Sequence, residues 1–273
     1  MVLEVNGEKI NDDKVIAEEM NAFFVRKIAD LREGIERSNV EDPLERLRST
    51  LKENSPRFSF KTVSEARVIK IIRNLSNKNS FGIDGISARI LKSAADVIVA
   101  PITFIINTSL TSGKYPTRWK TAKVIPILKK GNPKDMSNYR PVALLPVASK
   151  ILEEVVRSQL SNHFEINGLL PKSQHGFRPS RSTSSALISI EKKLLNAHEK
   201  KDCSAMLLFD LSAAFDTLDH RIFLEKLKLY GVDALGLRWF KSYLEGREQF
   251  VEVGGQRSSM VHVPWGSPQG AVC

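Results

Sequence analysis

Asp210 is the residue whose surroundings point most directly to chemistry. It follows Ala205–Phe209, a continuous apolar run, and belongs to the segment FDLSAAFD at residues 209–216. Such a run predicts a buried strand, and a carboxylate fixed at a strand end can bind a divalent metal at little ordering cost. Phe215 follows five residues later, far enough to bring its ring back over the same site. A plain strand end in an α/β protein gives the same pattern, so a structural role stays open.

A second candidate site is cationic. Lys129, Lys130 and Arg140 surround a turn rich in Gly, Pro and Asn. Lysine offers a mobile point charge and arginine a planar fork, and both suit the oxygens of a triphosphate. Residues 111–140 carry eight bases and one acid in a chain of net charge +10. This basic block indicates a polyanionic partner, although a solvated surface can carry a similar run.

The segment QHGFRPSRST at residues 174–183 suggests a contact with a phosphate backbone. Arg178 and Arg181 lie three residues apart, with Phe177 and small hydroxyl residues beside them. Arginines in such a loop can hold nucleic acid in place without reading its sequence. The alternative is a loop that ends at a helix cap on Ser182 or Thr183 and leaves both arginines solvated.

The segment WGSPQG at residues 265–270 allows close approach of a ligand. Its two glycines and proline surround Gln269. Glycine lets backbone come near a ligand, and the glutamine amide can donate and accept hydrogen bonds together. A simple turn is the alternative interpretation.

The elements that must position these residues are predicted from apolar spacing and from caps and turns. Helices are predicted at residues 14–36, 87–94, 97–112, 148–162, 184–200, 224–230 and 235–244, with another beginning at residues 62–65. Strands are predicted at residues 123–128 and 205–209, with a hairpin formed by residues 249–253 and 260–263. Residues 38–56 are predicted to be a linker with a short helix, and residues 131–141 and 171–183 to be loops.

Composition narrows the class of protein. The chain has 273 residues, 42% of them hydrophobic, which is enough to bury a sizeable core. Cys203 and Cys273 form neither a metal-ligand pattern nor a disulfide framework. The polar, acidic start does not match a secretory signal. The longest apolar stretch, Val97–Ile106, is about half of the ~20 residues that a membrane span needs. We therefore expect an intracellular protein without a membrane partner.

Six segments in fixed order carry a resemblance that no single motif carries. They are NKNSFGIDGISARILK (77–92), WKTAKVIPILKKGN (119–132), SNYRPVALLPVASKILEEVV (137–156), QHGFRPSRSTSSAL (174–187), LLFDLSAAFDTLDH (207–220) and GSPQGAV (266–272). Together they resemble the reverse transcriptases of non-LTR retrotransposons, the jockey-like group in particular. The resemblance covers about residues 62–273, and residues 1–61 resemble the preceding spacer more weakly.

The resemblance implies an α/β (α+β) fold, a right-hand polymerase with helix-rich fingers and an incomplete palm sheet. It divides the chain into an N-terminal helical spacer at 1–61, fingers at 62–200 and an incomplete palm at 201–273. It implies an RNA-directed DNA polymerase that uses an RNA template, a DNA primer and dNTPs, found in the nucleus and cytoplasm.

The resemblance also assigns roles to individual residues. Asp210 is the first catalytic, metal-binding aspartate, with Mg²⁺ as the cofactor and the Leu211 backbone as a second candidate ligand. The residues expected to contact the dNTP are Lys129, Arg140, Phe215, Gln269 and Gly270. Those expected to lie along the template are Arg178 and Arg181.

Two-metal phosphoryl transfer needs several converging carboxylates. In this family a second strand, aromatic–Ala–Asp–Asp, is expected after Cys273, followed by a thumb. The 273-residue chain is therefore interpreted as a truncated fragment that is inactive alone. Two alternatives stay open: a non-catalytic nucleic-acid-binding remnant, and a metal-dependent phosphatase or nuclease of unrelated α/β fold. The scattered histidines weigh against the second of these.

Overall fold

The computed structural model describes residues 1–5, 7–36, 42–50, 56–211 and 213–268. Gln269 and Gly270 lie outside the described residues, as do parts of the predicted linker. The chain forms two compact units. The first consists of Met1–Arg157 with Ala213–Cys273, and the second is Ser158–Ser212.

The chain forms both helices and strands, and the mixed α/β class predicted from the sequence is confirmed. The helices are α1 (Asp13–Glu36), α2 (Glu45–Thr50), α3 (Glu65–Asn74), α4 (Ala88–Ser93), α5 (Ala95–Ser112), α6 (Val147–Ile166), α7 (Thr183–Glu199), α8 (His220–Leu229) and α9 (Ala234–Leu244). The strands are β1 (Leu3–Val5), β2 (Glu8–Ile10), β3 (Thr121–Leu128), β4 (Tyr139–Leu144), β5 (Glu248–Val253), β6 (Gln256–Arg257) and β7 (Val261–His262).

The main sheet has the order β4-β3-β5-β6, with β7 also paired to β5. β3 runs antiparallel to β4 and parallel to β5. The prediction of a loop through residue 141 was wrong, because Arg140 and Pro141 lie in β4. Proline usually opposes strand pairing, but Pro141 faces Pro126 across the ladder. In an antiparallel ladder, some directly opposite residues exchange backbone hydrogen bonds and others do not. At a position of the second kind neither residue needs an N–H, so two prolines can face each other.

α1 packs on one face of this sheet. Its side chains Met20 and Phe24 belong to a buried cluster with Val124 and Val251. The predicted helix at 14–36 is confirmed, and the Asp12 carboxylate caps it by accepting from the Val15 N–H at 2.9 Å. The N-terminal region is thus part of the first unit's core.

An aromatic cluster joins α5 and α9 to the segment that precedes β3. Trp239, Tyr115 and Tyr243 are each at most 3% exposed. The Trp239 and Tyr243 rings stack at 5.4 Å, and the Trp239 indole N–H donates to the Ser109 hydroxyl at 2.9 Å. Burial raises the pKa of the Tyr115 hydroxyl, and the nearby charge of Glu153 raises it further. The cluster fixes the segments that lead into β3 and β5.

Within the described residues, α5 is the one helix whose length and composition match a membrane span. Ile102, Ile106 and Leu110 on this helix are buried, and the helix packs against α3 and α9. One face of α5 is therefore packed within the first unit, whereas Val97 and Phe104 are more than 70% exposed.

The predicted buried strand at residues 205–209 was wrong. These residues form no helix or strand, and Leu207, Leu208 and Phe209 are each more than 80% exposed. A strand needs partners for its backbone N–H and C=O groups. Among the described residues, no strand pairs with this segment, so the apolar run has no sheet in which to be buried.

Candidate functional site

A cavity of about 480 Å³ lies within the first unit, between α1 and the main sheet. Its size is within the range of roughly 300–1,000 Å³ that small-molecule sites occupy. Five parts of the chain form its walls: α1 from Phe24 to Ala29, the strands β3 and β4 with the turn between them, Ala213 and Asp216, the start of β5, and the segment Val263–Pro268. Most of the lining is apolar, and the charged side chains on it are Lys27, Lys120, Lys129, Arg140, Asp216, Arg247 and Glu248.

The structure brings Lys129 and Arg140 to this cavity, as the sequence-based prediction requires. They sit on either side of the turn between β3 and β4. The Lys129 N–H donates to the Asn138 carbonyl at 2.8 Å and closes the turn. Asp135 supports it by accepting from both the backbone N–H and the hydroxyl of Ser137 at 2.8 Å. These hydrogen bonds, the hydroxyl's first, lower the pKa of Asp135.

At another wall of the cavity, two segments that are distant in the sequence, residues 215–220 and 265–267, interlock through hydrogen bonds. The Ser267 N–H donates to the Phe215 carbonyl at 2.7 Å, and the Gly266 N–H donates to the Leu218 carbonyl at 3.1 Å. The His220 Nε2 lies 2.7 Å from the Gly266 carbonyl oxygen. Gly266 has φ +80°, and a Cβ there would lie 2.6 Å from the Asp216 carbonyl oxygen. Only glycine combines this backbone conformation with so close an approach.

Phe215 lies on this interlocked segment and is 61% exposed. Asp216 lines the cavity. The cap of α8 is Asp219, whose carboxylate accepts from the N–H groups of Arg221 and Ile222. Gln269 and Gly270 follow directly after the described part of this wall, so their predicted roles stay predictions.

Arg32 of α1 holds the wall in place, and the sequence-based reasoning missed it. Its guanidinium lies 2.9 Å from the Asp219 carboxylate, and both side chains are 8% exposed. It also donates to the Thr217 carbonyl at 3.2 Å and stacks 4.3 Å from the centre of the Trp265 ring. One signal was present: Arg32 continues the four-residue spacing of the inward-facing Met20, Phe24 and Ile28.

Asp210 and Leu211 belong to the second unit, where they lie in an exposed segment without regular structure. In the described part of the chain, no three His, Cys, Asp or Glu side chains are grouped so that they could hold a metal ion. Asp210 is therefore accessible, but among the described residues it belongs to no such group. Its predicted catalytic role stays a prediction.

The two arginines predicted to hold the template are already engaged within the second unit. Arg178 is 9% exposed and forms a two-pronged pair with Glu165, at 2.8 Å from Nε and 2.6 Å from Nη2. Its Nη1 donates to the Pro171 carbonyl at 2.7 Å, and Arg181 donates to the Lys172 carbonyl at 2.6 Å. The hydrogen bond from Arg178 lowers the pKa of Glu165. These bonds organise the loop before α7, where the cap is Ser182, one of the two caps named in the alternative interpretation.

Comparison with known proteins decides the family. Residues 127–273 match the family model described as reverse transcriptase (RNA-dependent DNA polymerase). This match covers more than half of the chain and includes the turn at Lys129, Arg140 and the Asp210 segment. The chain belongs to the reverse transcriptase family. The resemblance inferred from the six sequence segments is thereby confirmed.

Similar proteins come from mobile elements of flies. The chain is 33% identical over 211 residues to the RNA-directed DNA polymerase from mobile element jockey of Drosophila funebris, covering 77% of this chain and 23% of that protein. It is 31% identical over 234 residues to the probable RNA-directed DNA polymerase from transposon X-element of Drosophila melanogaster, covering 85% and 25%. The chain thus spans about a quarter of the length of these relatives.

Proposed function

We propose that this chain supplies the nucleotide-binding part of an RNA-directed DNA polymerase from a mobile element. The observation that carries the proposal is the cavity on which Lys129 and Arg140 meet the interlocked segments that contain Asp216 and Ser267. Reverse transcriptases act on nucleic-acid templates and dNTPs. A dNTP needs cations for its phosphates and a shaped wall for its sugar and base, and this cavity offers both.

In this proposal, the side chains of the cavity bind and orient the dNTP. Lys129 and Arg140 bind the triphosphate. The planar, forked guanidinium of Arg140 adds geometric selectivity to the attraction between opposite charges. The wall that contains Asp216 and Ser267 is proposed to face the sugar, and Phe215, which accepts from the Ser267 N–H through its carbonyl, is proposed to exclude a ribose 2′-hydroxyl. Holding the reacting groups in place accounts for a large part of catalysis in phosphoryl transfer.

The family uses a divalent metal, and we propose that the ion is Mg²⁺. It would stabilise the charge that develops on the transferred phosphoryl group. The Asp210 carboxylate and the Leu211 carbonyl are oxygen donors of the type that a hard cation prefers. The described residues group no three His, Cys, Asp or Glu side chains for an ion. The donors present are thus right in kind but too few to hold it, and a second aspartate strand is proposed to complete the set.

Substitution of Arg140 tests the nucleotide assignment. We expect Arg140→Gln to weaken dNTP binding about tenfold or more, because a charge-assisted hydrogen bond contributes about 1.5–3 kcal/mol. Duplex binding by the same protein should change much less. Equilibrium titrations with a dNTP and with a primer–template duplex measure both. Equal weakening of the two would show that Arg140 holds nucleic acid in general, contrary to the proposal.

A second candidate function is nucleic-acid binding without catalysis, with the RNA template and DNA primer as partners. The observation that favours it is the excess of cations on the cavity, where five bases meet two acids. Phosphate contacts release counterions, so such binding must weaken steeply with salt. A titration at several salt concentrations tests it, and an affinity independent of salt would argue against it.

A further inference from the structure

Arg247 is buried at the end of the cavity where β3 and β5 begin. Its side chain is 6% exposed and lines the cavity. The Nε donates to the Tyr243 carbonyl at 2.7 Å, and the guanidinium lies 4.6 Å from the centre of the Tyr243 ring. The Nη2 atom has no hydrogen-bond partner among the residues that the structure describes. A buried guanidinium donor without a partner is costly, so the fold leaves the charge of Arg247 incompletely compensated beside the cavity.

Lys120 provides a second cation beside it. The parallel ladder begins with Thr121 opposite Glu248, so Lys120 and Arg247 occupy the preceding positions on adjacent strands. Lys120 also lines the cavity, and its ammonium donates to the Glu245 carbonyl at 3.0 Å. Burial lowers the pKa of Lys120, and the charge of Arg247 lowers it further, whereas Glu245 opposes the shift. Two neighbouring cations thus repel each other in a partly desolvated place.

The carboxylates nearby leave this pair incompletely neutralised. Glu245 lies 3.9 Å from Lys241, and Glu153 accepts a hydrogen bond from Tyr115 at 3.1 Å. Glu248 lines the cavity and is exposed to solvent. The arrangement has the properties of an anion site: a guanidinium held against the Tyr115 and Tyr243 rings, an ammonium on the adjacent strand, and a cavity that both side chains line.

We propose that Lys120 and Arg247 form a second anion site that binds a phosphate group, separate from the site at Lys129 and Arg140. Lys120 precedes and Lys129 follows the eight residues of β3, so their Cα atoms lie roughly 30 Å apart at about 3.3 Å per residue. One triphosphate cannot span this distance. The ligand is therefore either a separate small phosphate compound, such as pyrophosphate, or a backbone phosphate of a nucleic-acid strand that runs along the cavity.

The test begins from a background without the first site. In the Lys129→Gln/Arg140→Gln double variant of the full chain, calorimetric titrations use sodium pyrophosphate in one arm and hexathymidylate in the other. We expect at least one probe to bind. Adding Lys120→Gln should then weaken its binding about tenfold or more, because a charged hydrogen bond is lost. Arg247→Lys should also weaken it, because the charge stays but the fork is lost.

Lys114→Gln is the matched control, since it removes the same charge from an exposed position outside the cavity lining. It should leave binding unchanged. Lys120 is only partly buried, so its variant reports on the site even if Arg247→Lys fails to fold. Dependence on Lys120 with pyrophosphate supports a small ligand, and dependence with hexathymidylate supports a strand. If neither probe binds more weakly to the Lys120 variant than to the Lys114 variant, the site does not exist, whatever the outcome for Arg140.

Discussion

The Arg32 guanidinium and the Asp219 carboxylate form a buried ion pair at 2.9 Å that joins α1 to the start of α8. Asp219 caps α8 at the same time, and Arg32 also reaches the Thr217 carbonyl and the Trp265 ring. A single arginine therefore ties together both segments that interlock beside the cavity. The N-terminal helix is a structural part of the candidate site.

Removing the charge of Asp219 should destabilise the protein. Asp219→Asn keeps a capping side chain but leaves the buried Arg32 without its counter-charge, which typically costs about 3 kcal/mol. Asp233→Asn is the matched control, because Asp233 caps α9 by accepting from the Gly236 N–H at 2.7 Å. The control should cost less than about 0.5 kcal/mol. Urea unfolding measures both, and similar losses would mean that the ion pair contributes nothing beyond the cap.

The same pair predicts how stability depends on pH. Burial alone would raise the pKa of Asp219, but the N–H groups of Ile222 and Arg221 and the charge of Arg32 together hold it below its ordinary value. A lowered pKa in the folded state stabilises the protein above the unfolded-state value of about 3.9, and this stabilisation disappears as pH falls through the folded-state pKa. Unfolding midpoints measured from neutral pH to pH ~3 should fall more for the wild type than for Asp219→Asn. Parallel curves would contradict this.

Gly266 should tolerate no side chain. Gly266→Ala places a Cβ 2.6 Å from the Asp216 carbonyl oxygen at φ +80°. Gly255→Ala is a matched control, because Gly255 has φ +83° with nothing within 4 Å of a Cβ. The control isolates the backbone cost of about 1–2 kcal/mol, and the clash at Gly266 should add about 1–3 kcal/mol. Thermal or urea unfolding tests this difference, and equal destabilisation would show that the two segments do not approach as described.

Local patterns in the sequence predicted most of the helices, because apolar residues recur at the helical period and several helices, such as α3, α7 and α9, carry their own side-chain cap. Predictions failed where a neighbour decides the structure. β4 contains Pro141, which opposes pairing until Pro126 is placed opposite it. The run Ala205–Phe209 has strand-like composition but no strand paired to it among the described residues.

The candidate site was likewise predictable only where its residues lie close together in the sequence. Lys129 and Arg140 flank one turn, so sequence proximity already places them together. Lys120 and Arg247 meet only because β3 and β5 pair in parallel, and Arg32 meets Asp219 across 187 residues. A single sequence holds no record of such distant pairings, which depend on the tertiary fold.

Lys129 and its neighbour Lys130 offer a direct test of the cavity. Both are exposed and adjacent in the chain, but only Lys129 lines the cavity. Lys129→Gln should weaken dNTP binding about tenfold because a charged hydrogen bond to the ligand is lost, whereas Lys130→Gln should change it little because Lys130 does not line the cavity and its more distant charge is screened by salt. Titration of each variant with the same dNTP provides the comparison. Equal effects would reduce the role of Lys129 to general positive charge.

The purified 273-residue polypeptide should bind dNTPs but not extend a primer. Asp210 lies in an exposed segment, and the described residues group no three potential metal ligands of the His, Cys, Asp and Glu types. Phosphoryl transfer by two metal ions requires such convergence. The measurement is template-dependent dNTP incorporation with and without Mg²⁺, using Asp210→Ala as the paired variant. Because Asp210 is exposed, this substitution should leave the unfolding midpoint unchanged. Incorporation by the unaltered polypeptide that Asp210→Ala abolishes would show that Asp210 finds its carboxylate partners within these residues after all.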